Sequence, residues 1–362
     1  MTARLALLAL AGALAAGPAP AAEEHAWDTF RVVDVAEGVF TFVSPVSPNG
    51  LVTGNSTVVA GDDGVLVFDS GNFPSLTRRM IAEIGKRTTK PVRFVVNSHW
   101  HFDHANGNSV YREAFPSVTI VDHDFTREKM AQNFEKFDRA TADALAADMA
   151  RLERRLEEGK RSDGTPLTED DRRTIASVRR DEAGALPEYR SVKLELADVT
   201  FADALTVHLG KREVRLLHLG RGNTAGDVVA FVPDVRVLLA GDTVVLPTPY
   251  GYGAYPTEWV RVLEKIEAMK PAVLVPGHGP IQRDTAYLTT LKELLRSVAT
   301  QVAELAKEGA AVEDVKKRIE LEPFRKKLAG DDAPRRRAFD SFFVSPIVDR
   351  AYQEAKGALA PE

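Results

Sequence analysis

The stretch that most constrains this chain is His99-Trp100-His101-Phe102-Asp103-His104, in which three imidazoles and a carboxylate fall within six consecutive positions. It directly follows Pro91-Val92-Arg93-Phe94-Val95-Val96, an apolar run rich in β-branched residues that reads as a buried strand. The pattern is a strand that ends in a tight loop of nitrogen and oxygen donors. Neutral imidazole and carboxylate suit zinc and similar divalent ions. In a short loop, His99 and His101 point to one side as alternate residues, and Asp103 and His104 turn to a second point nearby. That spacing suggests a two-metal site of the kind that clamps a bridging hydroxide. One His after a strand is usually a core or surface residue, but four donors at this spacing are hard to obtain without a metal.

At these residues the chain resembles the metallo-β-lactamase superfamily, whose signature is His-x-His-x-Asp-His after a strand. Two later segments match that family in order and spacing. Asp242 sits in Leu238-Leu239-Ala240-Gly241-Asp242-Thr243, just past an apolar run, and is the candidate bridging carboxylate. His278 sits in Val275-Pro276-Gly277-His278-Gly279, where the glycines allow a close approach. Asp69 matches the carboxylate that supports the metal loop from below, orienting a ligand His or the loop backbone. The departure lies in Gly220-Arg221-Gly222-Asn223-Thr224-Ala225-Gly226-Asp227, where the family usually carries His before Thr and this chain carries Asn223. An amide oxygen holds zinc more weakly than imidazole. Three readings stay open: Asn223 is a weak ligand, it holds a water or substrate, or it leaves the first metal site poorly occupied. His218 does not match the ligand position by spacing, and its place in a strand pattern favours a core or supporting role. His25, His123 and His208 have no motif context.

The resemblance covers residues 30–279. It implies an α/β fold, a four-layer αββα sandwich with the site at one edge of two sheets. It also implies that His99 and His101, with Asn223 as the open third position, hold a first ion. Asp103, His104 and His278 hold a second, and Asp242 bridges. Two zinc ions per chain are expected, with iron or manganese as the alternatives. Asp103 and Asn223 are the candidate catalytic residues, Asp103 by orienting the nucleophile or shuttling its proton. The implied reaction is hydrolysis of an ester, lactone, thioester or β-lactam-type bond in a small-molecule substrate. Two other readings compete with it: an iron-dependent redox enzyme of the same fold, and a metal-binding protein in which Asn223 has ended catalysis.

Composition narrows this further. The chain has 362 residues, 44% of them hydrophobic, ample for a large core. It has no Cys, so disulfides and a thiolate nucleophile are excluded and any metal site uses N and O donors. The formal net charge of −5 carries no basic excess, which argues against a nucleic-acid partner. Arg4, the Leu/Ala run over 5–16 and Ala19-Pro20-Ala21 read as a signal peptide over residues 1–22. Its apolar run is about a dozen residues, short of the roughly 20 needed to cross a bilayer. The mature protein is therefore expected to be periplasmic or secreted, without stable membrane insertion after cleavage. Nothing in the sequence sets an oligomeric state.

Periodicity gives the element order. Hairpins are expected over 30–43, turning at Ala36-Glu37-Gly38, and over 56–68, turning at Gly61-Asp62-Asp63-Gly64. A helix over 76–84 and a strand over 118–121 flank the His loop. Strand pairs are expected at 205–209 with 214–219 and at 227–232 with 235–239, and a short strand at 272–275. Thr257 is expected to cap a helix carrying Trp259, Leu263 and Ile266. Leu288, Leu291, Leu295, Val298, Val302 and Leu305 mark a long helix over 284–307. Residues 124–188 read as an inserted helical hairpin, with a stripe at Leu145, Met149, Leu152 and Leu156 and a capping box at Thr168 and Asp171. The insertion is a solvated appendage, a lid or a dimer contact. The reading divides the mature chain into a metallo-β-lactamase-like domain over 23–308 and a C-terminal helical extension over 309–362, with an apolar cluster at Phe339, Phe342, Phe343, Val344 and Ile347. Trp100 and Phe102 are expected to pack or to line the pocket, and Tyr250, Tyr252 and Tyr255 to lie near its mouth.

Overall fold

Short apolar runs bounded by turn residues become strands, and each turn signal closes a hairpin. Strand β1 (Arg31–Ala36) folds back on β2 (Val39–Val43), and β3 (Ser56–Ala60) on β4 (Val65–Phe68), all antiparallel. These features come from a computed structural model that describes residues 25, 27–45, 51–134 and 140–360. The expected signal peptide over 1–22 lies outside the described residues. After β4 the chain crosses by helix α1 (Pro74–Arg87) to the parallel strand β5 (Val92–Val96). Helices α2 (Phe102–Ala105) and α3 (Asn108–Ala114) lead to β6 (Thr119–His123). Helices α4 (Asp124–Phe134), α5 (Ala140–Glu158) and α6 (Glu169–Ser191) intervene before β7 (Val199–Phe201), which completes a seven-stranded sheet in the order β1 to β7.

The second sheet is an antiparallel run of β8 (Ala204–Leu209), β9 (Arg212–Leu217), β10 (Val229–Val232) and β11 (Val237–Leu239). Helix α7 (Pro256–Ala268) then crosses to β12 (Val273–Val275), parallel to β11. Helices α8 (Ala286–Lys307), α9 (Val312–Arg318), α10 (Glu322–Ala329), α11 (Ala333–Ala338) and α12 (Ser345–Ala355) follow, with a π-helical turn, Phe339–Val344, before the last.

The core has three apolar layers. The middle one joins the sheets: Leu66, Phe68, Val96 and Val121 meet Leu209, Leu216, Val232 and Leu239. One outer layer packs Val58, Val67 and Val95 against Leu76, Met80 and Tyr111. The other packs Leu238 and Leu274 against Trp259, Leu263, Leu291, Leu295 and Ile347. Helices, two sheets and helices are thus stacked in four layers, and strands buried on both faces read as unbroken apolar runs.

The inserted hairpin has the predicted capping box at Thr168 and Asp171, but it is more than a solvated arm. Ala185 and Tyr189 of α6 are buried in the outer core, and Tyr189 lies 5.5 Å from Phe73 and 6.1 Å from Phe102, ring to ring. The expected cap at Thr257 is not made. Its hydroxyl donates to Glu354 Oε2 (2.8 Å), and α7 starts on Pro256, whose missing N–H suits a first turn. Tyr255 is likewise core, 1% exposed, not a rim residue.

Candidate metal centre

The site forms where strand ends of both sheets meet. Strand β4 ends at Asp69, held at φ +66°, a left-handed conformation that Asp adopts more readily than most residues. Its Oδ1 accepts from the Ser98 N–H (2.7 Å), and its Oδ2 accepts from Ser98 Oγ (2.9 Å) and from His104 Nδ1 (2.8 Å). Ser98 Oγ has given its proton to Asp69, so it accepts from His99 Nδ1 at 2.9 Å. Both rings therefore carry the proton on Nδ1 and turn an Nε2 lone pair into the centre. The expected supporting role of Asp69 thus has a geometric basis, and it works through Ser98, a residue that sequence reasoning passed over.

The bare acceptors converge in two groups, His99-His101-Asp242 and Asp103-His104-His278, each with its donor atoms within 4.8 Å of one another. His99 Nε2 lies 2.8 Å from His101 Nδ1 and 3.8 Å from Asp242 Oδ2. His104 Nε2 lies 3.2 Å from both His278 Nε2 and Asp242 Oδ1, and 3.4 Å from Asp103 Oδ2. Asp103 Oδ2 is 3.0 Å from His278 Nε2. Lone pairs aimed at lone pairs in a buried site repel unless a proton or a cation lies between them. One further buried oxygen, Asn223 Oδ1, has no hydrogen-bond partner. This donor set fits divalent cations, and all six candidate ligands are brought together.

The electrostatics agree. Burial holds His99 well below the usual imidazole range and His101 down at about 4, so both are neutral donors at neutral pH. Burial also acts to lower His104, but the carboxylates of Asp103, Asp242 and Asp69 win and hold it well above its ordinary value. Burial would raise Asp103 and Asp242; the facing His104 and His278 hold both below the carboxylate range instead. Protons thus collect where a cation would replace them.

Close approach is built into the backbone. A Cβ on Gly277 would lie 2.0 Å from Asp242 Oδ1, and one on Gly54 would lie 2.3 Å from the His104 ring. Asn55 ties the loops together, its Nδ2 donating to Pro276 O and Gly279 O, both at 2.9 Å. No motif marks Asn55, because its role arises only when the sheets meet. Asn223 is buried, and its Nδ2 donates to Tyr250 O (2.7 Å), leaving the amide oxygen as the free end. His218 stands outside both groups. It lies 4.3 Å from His123 ring to ring, with Nδ1 on Asp227 O (2.9 Å), in keeping with a supporting role. Trp100 and Tyr250 flank His101 with ring centroids 4.6 and 5.7 Å away.

Comparison with known proteins agrees with this geometry. The family model described as Metallo-beta-lactamase superfamily matches residues 49–278. A linear primary-alkylsulfatase from Pseudomonas sp. is 22% identical over 280 residues, covering 74% of this chain and 50% of the relative. The chain thus spans about half the length of that curated relative. Among solved structures, a metallo-beta-lactamase from Pontibacter korlensis superposes with TM-score 0.52 at 22% identity, over 74% of this chain and 99% of the other. The DIM-1 metallo-beta-lactamase gives 0.50 at 20% identity, over 74% and 98%. The structural likeness speaks for the fold, and the family match spans more than half of the sequence, including every candidate ligand: this chain belongs to the metallo-β-lactamase superfamily.

Proposed function

We propose that this protein is an exported hydrolase with two zinc ions, acting on an ester, lactone, thioester or β-lactam-type bond of a small molecule. The observation that carries the reading is the pair of donor groups, with the tautomers of His99 and His104 fixed by one buried carboxylate, Asp69. His99, His101 and Asp242 would hold one ion and Asp103, His104 and His278 the other, with the Asp242 oxygens facing both groups. Bound there, the cations supply Lewis acidity and a water acidic enough to react near neutral pH. Asp103, at the edge of the second group, is the residue assigned to orient the nucleophile or to shuttle its proton. Asn223 gives one amide N–H to Tyr250 O, and its partnerless Oδ1 offers an acceptor for an ion, a water or a substrate donor. The relative's name, alkylsulfatase, adds sulfate esters to the bonds worth testing.

The test is a panel of carboxylic, sulfate, thioester, lactone and β-lactam substrates, with metals quantified on the same sample. Turnover with about two zinc ions per chain is expected. His278→Ala is expected to lose one ion and turnover together; activity retained in that variant would sink the two-ion mechanism. Iron with oxygen uptake would replace the hydrolase reading by the redox one. Full zinc loading without turnover on any substrate would leave a metal-binding protein. Export rests on the N-terminal segment, and cell fractionation tests it. Among the described residues no helix is long and apolar enough to cross a membrane.

A further inference from the structure

Among the described residues, three large apolar or aromatic side chains are strongly exposed: Val199, Tyr252 and Phe342. Tyr252 and Phe342 both lie against Tyr250, beside the metal centre. Tyr250 packs edge-on to His101 at 5.7 Å, and it in turn lies 5.0 Å from Tyr252 and 6.5 Å from Phe342, both tilted toward it. A continuous run of rings therefore leads from a candidate ligand to the surface. Phe342 comes from the π-helical turn, beyond the residues that the family model matches. That turn buries Phe339 and Phe343 fully and leaves Phe342 44% exposed. π turns recur at functional sites.

The patch is held in place by polar contacts. Gly251 N–H donates to Phe342 O (2.8 Å), and Tyr252 OH to Ser341 O (3.3 Å). Arg350 of α12 donates to Gly253 O (3.0 Å) and Ala254 O (2.8 Å), and Asn223 fixes Tyr250 O from the other side. Ordering exposed rings costs conformational entropy, and exposed apolar patches next to a site commonly mark where a ligand lies.

We propose that Tyr250, Tyr252 and Phe342 form the subsite for the hydrocarbon part of the substrate, an alkyl chain or an aryl ring attached to the bond that reacts at the metal centre. This rests on the hydrolase reading and adds the C-terminal extension to the substrate site. The rings offer apolar faces to stack on, and their continuity with His101 puts a bound chain next to the reacting bond. On the Trp100 side of His101 lies a shallow apolar cleft lined by Trp100, Phe102, Met130, Phe134 and Leu194, the competing place for such a chain.

The test compares para-nitrophenyl acetate, decanoate and benzoate on the full-length, metal-loaded protein and on Phe342→Ala, Tyr252→Ala and Phe342→Leu. The native protein is expected to prefer decanoate or benzoate over acetate in kcat/KM, and whichever gains identifies chain or ring. Phe342→Ala and Tyr252→Ala are each expected to reduce that preference about tenfold, the size of one lost apolar contact. Phe342→Leu is expected to restore much of it for the chain. An unchanged preference in both alanine variants overturns the proposal and points to the Trp100 cleft, while hydrolysis itself stands. If the native protein turns over none of these three esters, the wider substrate panel decides the hydrolase reading separately. Calorimetry with butyl and decyl sulfonate then decides: chain-dependent binding that Phe342→Ala weakens supports the subsite, and its absence overturns it.

Discussion

Asp69 is the residue on which the centre's proton arrangement depends. It is 1% exposed and accepts from Ser98 N, Ser98 Oγ and His104 Nδ1 at once. Asp69→Asn would present an amide donor to groups that are themselves donors, and a ring that flips loses its inward lone pair. Metal affinity is expected to fall about 10- to 100-fold, read by competition with a chelator, with the folded secondary structure retained by circular dichroism. Unchanged affinity would mean that the loop backbone alone orients the rings. Asn223 makes the opposite test. Asn223 holds the sequence position where the family usually carries His, and its oxygen has no partner, so Asn223→His is expected to tighten the first ion; unchanged zinc stoichiometry and affinity would remove Asn223 from the ligand set. The six candidate ligands were legible in sequence because each follows an apolar strand run in a recognisable order. Ser98 and Asn55 were not, because each acts through a partner far away in the chain, and Phe342, expected in an apolar cluster, is exposed instead.

At the scale of elements, α8 shows how periodicity becomes stability. Leu288, Leu291, Leu294, Leu295, Val298 and Val302 are all buried, in one layer with Trp259 and Ile347. Leu295→Ala is expected to cost about 2–5 kcal/mol, the range for a buried leucine whose cavity cannot collapse, read from urea unfolding. A cost below about 1 kcal/mol would mean the layer repacks. The same stripe made this helix readable, and β-branched-rich runs between turn residues made β3, β4 and β5 readable to within a residue. Strand β7 was invisible for a physical reason. It has three residues, two of them exposed, and it is a strand only through its parallel pairing with β6. Helix α2 is one turn long and exists because the His loop folds around the centre, so no period announces it. Thr257 misled because a Thr before an apolar stripe reads as a cap, whereas its hydroxyl reaches Glu354 in the C-terminal helix.

For the whole molecule, the cost of building a centre between two sheets extends beyond the ligands, to Asp122 at the end of β6. It is fully buried, and its one close donor is the backbone N–H of Asn97. That N–H also donates to Val121 O at 3.2 Å, so Asp122 has only a share of it. Burial, and then the charge of Asp69, push the carboxyl up to about 8 from an ordinary 3.8; the Asn97 amide and Arg127 oppose this only in part. Below about pH 4 the group is protonated in both folded and unfolded chains and does not bias folding. As pH rises toward 8, the unfolded chain ionises while the folded one keeps its proton, so the unfolded state is favoured increasingly. Above the folded value both are ionised and the penalty is constant. Asp122→Asn removes this slope. Urea midpoints taken at about pH 5 and about pH 8, with a chelator present so that metal release does not add its opposite slope, are expected to fall for the native chain and to change less for the variant. Equal slopes in the two proteins would mean that Asp122 is ionised in the fold, and that a donor or an ion reaches it between the sheets.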